Sequence, residues 1–192
     1  MAHDGVLPDA DDALVARVAG GDGRAWQAIV DRHAQSILGS AWYMLGDRTE
    51  AEDVAQETFI RLMGKAGSWQ PGGPKLRTWL YRVAANLCID RRRQKRTEPL
   101  DTVAERADPT TDEGAVGHSI DVTRAVARAM AELPERQRQA LTLVHFQGLS
   151  NIEAADALEL SVDALESLLA RGRRAMRGTL EPVHKDLLGD GR

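Results

Sequence analysis

KLRTWLYRVAANLCIDRRRQKR, residues 75–96, has the apolar periodicity of one long amphipathic helix. At 100° per residue one side of this helix is apolar and suited to a core. That side consists of Leu76, Trp79, Leu80, Val83 and Leu87. Residues 71–96 hold eight Lys and Arg against one acid, a local net charge of +7 in a chain whose formal net charge is −4. Such a cluster indicates a polyanion-binding face, because phosphates bind clustered cations with release of counterions.

Aromatic residues accompany these cations. Trp69, Trp79 and Tyr81 lie in or beside the basic segment, and aromatic faces next to Arg suit unstacked nucleic-acid bases. Trp79, however, belongs to the apolar side and is predicted to be a core residue. The alternative interpretation of the segment is a solvated basic helix end that binds nothing.

The composition favours helices and a protein of the cytoplasm. The 192 residues are 43% apolar and 4% aromatic, and alternation of β-branched residues is nowhere sustained. Apolar runs are too short for membrane insertion, and the N-terminus lacks the pattern of a signal peptide. The single cysteine, Cys88, excludes an internal disulfide and is predicted to be a small buried helix residue. We therefore expect an all-α cytoplasmic protein.

The chain divides into three predicted parts. Helical patterns fill residues 11–96 and 122–180, which we interpret as two small domains. Between them, residues 97–121 hold seven acids and one base with little apolar periodicity, which predicts a flexible acidic linker.

Local signals mark several helix ends. Gly46 and Asp47 are predicted to separate two helices. Thr49 with Glu52 is predicted to form a capping box at the start of the second of them. A second capping box is predicted for Ser150 and Glu153, opening a short helix. Ser161 is predicted to cap a long helix after a tight turn at residues 159–160. Two helices on a tight turn, the second ending in arginines, have the helix-turn-helix pattern, although any αα-hairpin can imitate it.

Three segments in this order resemble bacterial sigma factors of the extracytoplasmic-function type (group IV, sigma-70 family). They are AEDVAQETFIRL at 51–62, LRTWLYRVAANLCIDRRRQKR at 76–96 and LPERQRQALTLVHFQGLSNIEAADALELSVDALESLLARGRRAMR at 133–177. The resemblance implies two all-helical domains on a flexible linker. It also implies a dissociable specificity subunit of RNA polymerase, with no catalysis and no cofactor of its own.

The partners that the resemblance implies are core RNA polymerase, through its β and β′ subunits, promoter DNA and an anti-sigma factor. The implied surface for the coiled coil of the largest polymerase subunit is Asp53, Gln56, Glu57 and Arg61. The implied −10 contacts are Trp69, Arg77, Tyr81, Arg82, Asn86, Arg91, Arg92 and Arg93. The implied −35 contacts are Ser167, Arg171, Arg173, Arg174 and Arg177. The loop of residues 67–74 resembles the one that captures a flipped base of the −10 element.

The presumed −35 helix departs from the family pattern. Family members commonly carry Lys and Arg where this chain has Glu166 and Leu168, and Gly where it has Glu159. Acidic side chains can accept from cytosine amino groups, but they repel phosphates. We therefore expect the −35 contacts to come from the C-terminal half of this helix.

Other classes explain less of the sequence. A two-domain regulator whose first domain senses a signal would not place the basic cluster in that domain. A protein-interaction module that has lost promoter binding fits the departures at Glu166 and Leu168. An enzyme is not expected, because the chain lacks a phosphate loop, a nucleophile motif and metal-spaced His and Cys residues. His33, the one His on an apolar helix face, is predicted to be structural rather than a metal ligand.

Overall fold

The protein is all-α in the part that the structure, a computed structural model, describes, residues 10–97 and 117–189. This confirms the predicted fold class. The helices are α1 (Ala10–Ala19), α2 (Gly23–Leu45), α3 (Arg48–Ala66), α4 (Leu76–Thr97), α5 (Gly117–Glu132), α6 (Glu135–Leu141), a π-helical turn (Thr142–Phe146), α7 (Asn151–Ala157) and α8 (Val162–Gly189). Residues 98–116 of the predicted linker lie outside the described residues, whereas residues 117–121 already belong to α5.

Helix α2 is the centre of the first domain and packs against α1, α3 and α4. The Asp22 carboxylate caps its N-terminus by accepting from the backbone N–H groups of Arg24 and Ala25 at 2.9 and 3.2 Å. Its C-terminus ends at Gly46, whose φ of 72° glycine adopts without steric cost. The predicted break at this position is therefore confirmed.

The cap of α3 differs from the prediction. Asp47 is the N-cap residue, and its carboxylate accepts from the backbone N–H of Glu50 at 3.0 Å. Gly46 is left-handed and Asp47 is extended, so Asp47 occupies the N-cap position and α3 begins at Arg48. Thr49 therefore lies inside the first turn of the helix and not at its cap. The predicted capping box of Thr49 and Glu52 is therefore wrong.

The second domain contains the predicted helix-turn-helix. The Ser150 hydroxyl accepts from the Glu153 N–H at 3.2 Å while the Glu153 carboxylate accepts from the Ser150 N–H at 3.0 Å, which confirms this capping box. The Ser161 hydroxyl accepts from the Ala164 N–H at 3.2 Å and caps α8 as predicted. At Gly172 an added Cβ would lie 2.9 Å from a Leu141 methyl, so α8 crosses α6 closely there.

The two domains pack against each other. Helix α4 contacts α7, while α2 contacts α5, α6 and the π-helical turn. The rings of Tyr43 and Phe146 lie 4.2 Å apart across this boundary. The buried Arg138 of α6 donates to the Met44 carbonyl of α2 at 3.0 Å and to the Leu133 carbonyl at 2.7 Å. A cation at the C-terminal end of α2 also complements the helix dipole.

Candidate functional site: polymerase and nucleic-acid interfaces

The four residues predicted to contact polymerase lie on one half of the circumference of α3. Asp53, Gln56 and Arg61 are exposed and Glu57 is half-buried. Glu57 and Arg61 form an ion pair, with 2.9 Å between Oε1 and Nε. The Asp53 carboxylate accepts from Arg91 of α4 at 3.2 Å. The structure thus brings the four residues together on one accessible surface, which we call the α3 face.

Two apolar side chains extend the α3 face. Ile60 and Met63 are 55% and 56% exposed, whereas the neighbouring Phe59 and Leu62 are buried. With Gln56 they follow the i, i+4, i+7 spacing of a single helix side. Sequence reasoning did not consider these two residues, but their spacing from Gln56 is a signal that could have found them.

Three residues predicted to contact the −10 element are covered by the second domain. Arg77 donates to the Gln147 backbone carbonyl, and the Tyr81 hydroxyl donates to Gln147 Oε1 at 3.0 Å. Arg82 donates to the carbonyl and carboxylate oxygens of Asp156 at 2.9 and 2.7 Å. Tyr81 is 1% exposed, and this burial raises the pKa of its hydroxyl. The expectation that Tyr81 offers an open aromatic surface is therefore not met in this arrangement.

Acidic side chains of the second domain face this basic surface. Glu153 Oε1 lies 3.1 Å from Lys75 Nζ, and Glu159 Oε1 lies 4.0 Å from Arg82 Nε. Hydrogen bonds from Ser150, with the Lys75 ammonium beside it, lower the pKa of Glu153 to about 2. Glu159 has a φ of 55°, a left-handed conformation that suits the Gly common in the family. The carboxylates of α7 and its following turn thus lie against the cations at the start of α4.

The remaining predicted −10 residues of α4 have different surroundings. Asn86 and Arg93 are exposed to solvent. Arg91 pairs with the α3 face, and Arg92 donates to the Met44 carbonyl at 2.9 Å. Part of the basic cluster therefore ties α4 to α2 and α3, which the run of cations in the sequence does not reveal.

Trp69 lies in the loop between α3 and α4. Its indole N–H donates to Asp12 of α1 at 2.8 Å, and its ring packs edge-to-face on Trp79 at 5.9 Å. Trp69 is half-buried. In this structure it holds the loop against the helices.

The predicted −35 residues lie on the exposed surface of α8. They are Ser167, Arg171, Arg173, Arg174 and Arg177. Ser167, Arg171 and Arg174 follow the i, i+4, i+7 spacing and share one side of the helix. The Arg171 guanidinium donates to the Ser167 carbonyl at 3.3 Å. These side chains are exposed even though the two domains are in contact.

The departures from the family pattern have local partners. The Glu166 carboxylate accepts from the Asn151 side chain at 3.1 Å, which ties α8 to α7. Leu168 is half-buried and packs against the apolar core. Both residues therefore make contacts within the helix-turn-helix.

His33 and Cys88 have structural surroundings. His33 Nε2 lies 2.9 Å from the Asp11 carboxylate, and burial lowers the pKa of His33 despite this acid. Burial raises the pKa of the Cys88 thiol to about 12, so it is not a reactive thiolate. Among the described residues, no group of three or more His, Cys, Asp and Glu could hold a metal ion. Every helix in these ranges is too short or too polar to span a bilayer.

Two protein-family models match this chain, one in each domain. Sigma-70 region 2 matches residues 29–98, and Sigma-70, region 4 matches residues 123–176. The chain is 34% identical over 181 residues to the ECF RNA polymerase sigma factor SigW of Bacillus subtilis, covering 88% of this chain and 96% of SigW. The chain belongs to the ECF sigma factors of the sigma-70 family. Members of this family are transcription initiation factors and not enzymes.

Other relatives agree with this assignment. The ECF sigma factor SigC of Mycobacterium tuberculosis is 32% identical over 94% of this chain and 96% of its own length. The solved structure of CnrH in complex with the cytosolic domain of CnrY has a TM-score of 0.70 and 27% identity, covering 91% of this chain and 99% of CnrH. The Bartonella quintana sigma factor RpoE, solved with the anti-sigma factor NepR, shares the fold with a TM-score of 0.63, 19% identity and coverage of 86% and 98%.

Proposed function

We propose that this sigma factor docks on core RNA polymerase through the α3 face and directs initiation at promoters with paired −10 and −35 elements. The observation that supports docking is the exposed cluster of Asp53, Gln56 and Arg61 beside the apolar side chains of Ile60 and Met63. An apolar centre with charged residues around it suits a protein partner. The coiled coil of the β′ subunit is the proposed partner, with further contacts to β.

Helix α4 and the loop before it are proposed to open and hold the −10 element. Asn86 and Arg93 are exposed, while Arg77, Tyr81 and Arg82 lie beneath α7 and the residues flanking it. Unstacking a base costs a few kcal/mol, and stacking on aromatic side chains recovers about 1–3 kcal/mol per base. Because the second domain covers three residues of this surface, the two domains must separate before DNA can occupy all of it.

Helix α8 is proposed to read the −35 element in the major groove. Ser167, Arg171 and Arg174 share its exposed side, and Arg173 and Arg177 add positive charge beside them. Glu166 and Leu168 are held by contacts within the domain. Base contacts are therefore assigned to the middle of α8, residues 167–177, since this helix continues to Gly189.

An anti-sigma partner is proposed as the regulator. The similar sigma factor CnrH was solved with the cytosolic domain of CnrY. We propose that such a partner wedges between the two domains and hides the α3 face. Purification of this sigma factor from its native cells under resting conditions would test this; recovery with polymerase and without an inhibitor would contradict it.

Reconstitution tests the proposed function. The purified chain is added to sigma-free core polymerase, and transcript starts are mapped on fragmented genomic DNA. We expect discrete starts that share a −10 and a −35 sequence. Stable polymerase binding without specific starts would indicate a module that has lost promoter recognition. Absence of polymerase binding would refute the assignment of the α3 face.

A further inference from the structure

Asp12 of α1 holds the loop that joins α3 to α4. Its Oδ1 accepts from the Trp69 indole N–H at 2.8 Å, and its Oδ2 accepts from the Gly72 backbone N–H at 3.2 Å. Asp12 is buried, at 7% exposed. One carboxylate thus fixes two points of the loop to a helix that lies before residue 29, where the Sigma-70 region 2 match begins.

The loop itself is shaped by short local turns. The Trp69 N–H donates to the Ala66 carbonyl at 3.2 Å, and the Gly73 N–H donates to the Gln70 carbonyl at 3.4 Å. Gly72 has a φ of 81°, which side-chain-bearing residues rarely adopt. Short turns alone allow a loop many conformations. The bonds from Asp12 to Trp69 and Gly72 therefore restrict the shape of this loop.

We propose that Asp12 is a positioning residue for −10 recognition, holding residues 67–75 in the shape that receives an unstacked promoter base. This inference rests on the proposed function of the loop. Asp12 acts through Trp69 and Gly72 and does not itself contact DNA. A carboxylate facing DNA would repel phosphates, whereas this one is buried with each oxygen accepting from an N–H group.

The preceding residue supplies a matched control. The Asp11 carboxylate also joins α1 to the rest of the domain, but its partners His33 and Arg32 belong to α2. Both acids are 7% exposed and neighbours in sequence. Replacing Asp11 therefore perturbs the packing of α1 on α2 but leaves the two bonds of Asp12 to Trp69 and Gly72 in place.

The substitution Asp12→Asn tests the proposal with little change in shape. The substitution turns one of the two accepting oxygens into a donor nitrogen, which cannot accept from the N–H group facing it, so one of the two bonds is lost. Holoenzymes with wild-type chain, Asp12→Asn or Asp11→Asn are assembled on core polymerase. Their affinities are measured for fork-junction DNA whose −10 element is single-stranded, and for versions with one −10 base replaced.

We expect Asp12→Asn to weaken binding of the preferred −10 sequence about tenfold and to reduce its discrimination against replaced bases. Affinity for core polymerase and for duplex −35 DNA should stay unchanged. Asp11→Asn should retain wild-type discrimination. Unchanged discrimination by Asp12→Asn would overturn the proposal, as would equal losses in both variants, because a general packing defect would produce them.

The variant Trp69→Phe provides a second test, including the case in which Asp12→Asn fails to fold. Phe keeps a ring against Trp79 but lacks the indole N–H. We expect it to lose discrimination too, and the double variant to lose little more than either single variant. Full discrimination by Trp69→Phe would contradict the proposal. If the wild-type holoenzyme itself showed no preference among −10 bases, the proposed function of the loop would fail as well.

Discussion

The α3 face and the side of α4 proposed to bind DNA differ in accessibility, although both lie on the first domain. On α3, Asp53, Gln56 and Arg61 are exposed beside exposed apolar residues. On α4, Tyr81 is buried and Arg82 is paired with Asp156 of the second domain. In this arrangement the proposed polymerase surface is accessible, whereas the proposed −10 surface is fully accessible only when the domains part.

The cover over α4 combines weak and strong contacts. The ion pairs of Lys75 and Arg82 with acids of the second domain are partly exposed, and such pairs contribute about 0–1 kcal/mol each. The buried Arg138 is better shielded from water, and the ring contact of Tyr43 with the exposed Phe146 adds apolar packing across the boundary. We infer that apolar and buried polar contacts hold the domains together, while the acids determine which cations they cover.

Paired variants of α3 and α4 give the largest expected effects. Gln56→Ala with Glu57→Ala should weaken binding to core polymerase about a hundredfold, because both side chains belong to the proposed interface and a few interface residues carry most of the binding energy. Binding is measured by titrating the chain into core polymerase. Arg48→Ala is the control, since Arg48 is exposed on α3 but lies away from the α3 face. Wild-type affinity of the double variant would contradict the assignment.

The counterpart on α4 is Arg82→Ala with Asn86→Ala. It should abolish open-complex formation while sparing polymerase binding, because both side chains belong to the proposed −10 surface. Permanganate reactivity of promoter thymines measures the opening. Arg82→Ala also removes a contact between α4 and α7, so it does not hold the two domains together. Normal promoter melting by this double variant would therefore refute the assignment of α4 to the −10 element.

Arg138→Met should remove about 2 kcal/mol from the free energy of unfolding, because buried carbonyls lose their donor. The Met44 carbonyl would keep Arg92, but the Leu133 carbonyl would lose its side-chain partner. Denaturant titration of the full chain measures the change. Arg136→Met, an exposed neighbour on α6, should change stability little. Equal stability of the two variants would show that Arg138 does not hold the domains together.

Removing the acids over α4 should have a smaller effect. Asp156→Asn with Glu159→Gln removes two charges facing Arg82, so the free chain should bind single-stranded −10 DNA about fivefold more tightly at low salt. Asp31→Asn with Glu52→Gln changes the net charge equally at exposed sites away from α7. Equal gains in both double variants would attribute the effect to net charge alone.

Local chemistry made much of this molecule predictable. The periodicity of α4 and the caps at Ser150 and Ser161 depend on neighbouring residues, so the sequence contains them. The α3 face could be predicted because its members lie within a few turns of one helix. The cap at Asp47 was missed because Thr49 with Glu52 has the same spacing signature, and only the backbone path after Gly46 favours the aspartate.

Contacts between distant segments could not be predicted. Arg82 and Asp156 are 74 positions apart, and Trp69 and Asp12 are 57 positions apart. Periodicity identifies a polar side of a helix but not what lies against it. A basic surface in sequence therefore has the same pattern whether it is open to DNA or covered by acids.

His33 should make the stability of the folded chain depend modestly on pH. It lines a polar cavity of about 370 Å³ between the domains, together with Arg32, Lys75, Arg77 and other residues. Burial lowers the pKa of His33 from 6.5, opposed by Asp11 and assisted by Arg32 and Arg77. The unfolded chain therefore takes up a proton at a higher pH than the folded chain, so this contribution to stability is complete above 6.5 and is lost as the pH falls towards the folded pKa.

Thermal unfolding measured between about pH 7.5 and 5.5 tests this dependence. The wild-type chain should lose stability across that interval, and His33→Gln should lose less. His145→Gln is the control, because His145 is exposed on the second domain. The same slope in wild type and His33→Gln would assign the pH dependence to other groups. If the change of stability with pH disappears only in His33→Gln, the titrating group is His33, which lines the same cavity as Lys75 and Arg77 beside α4.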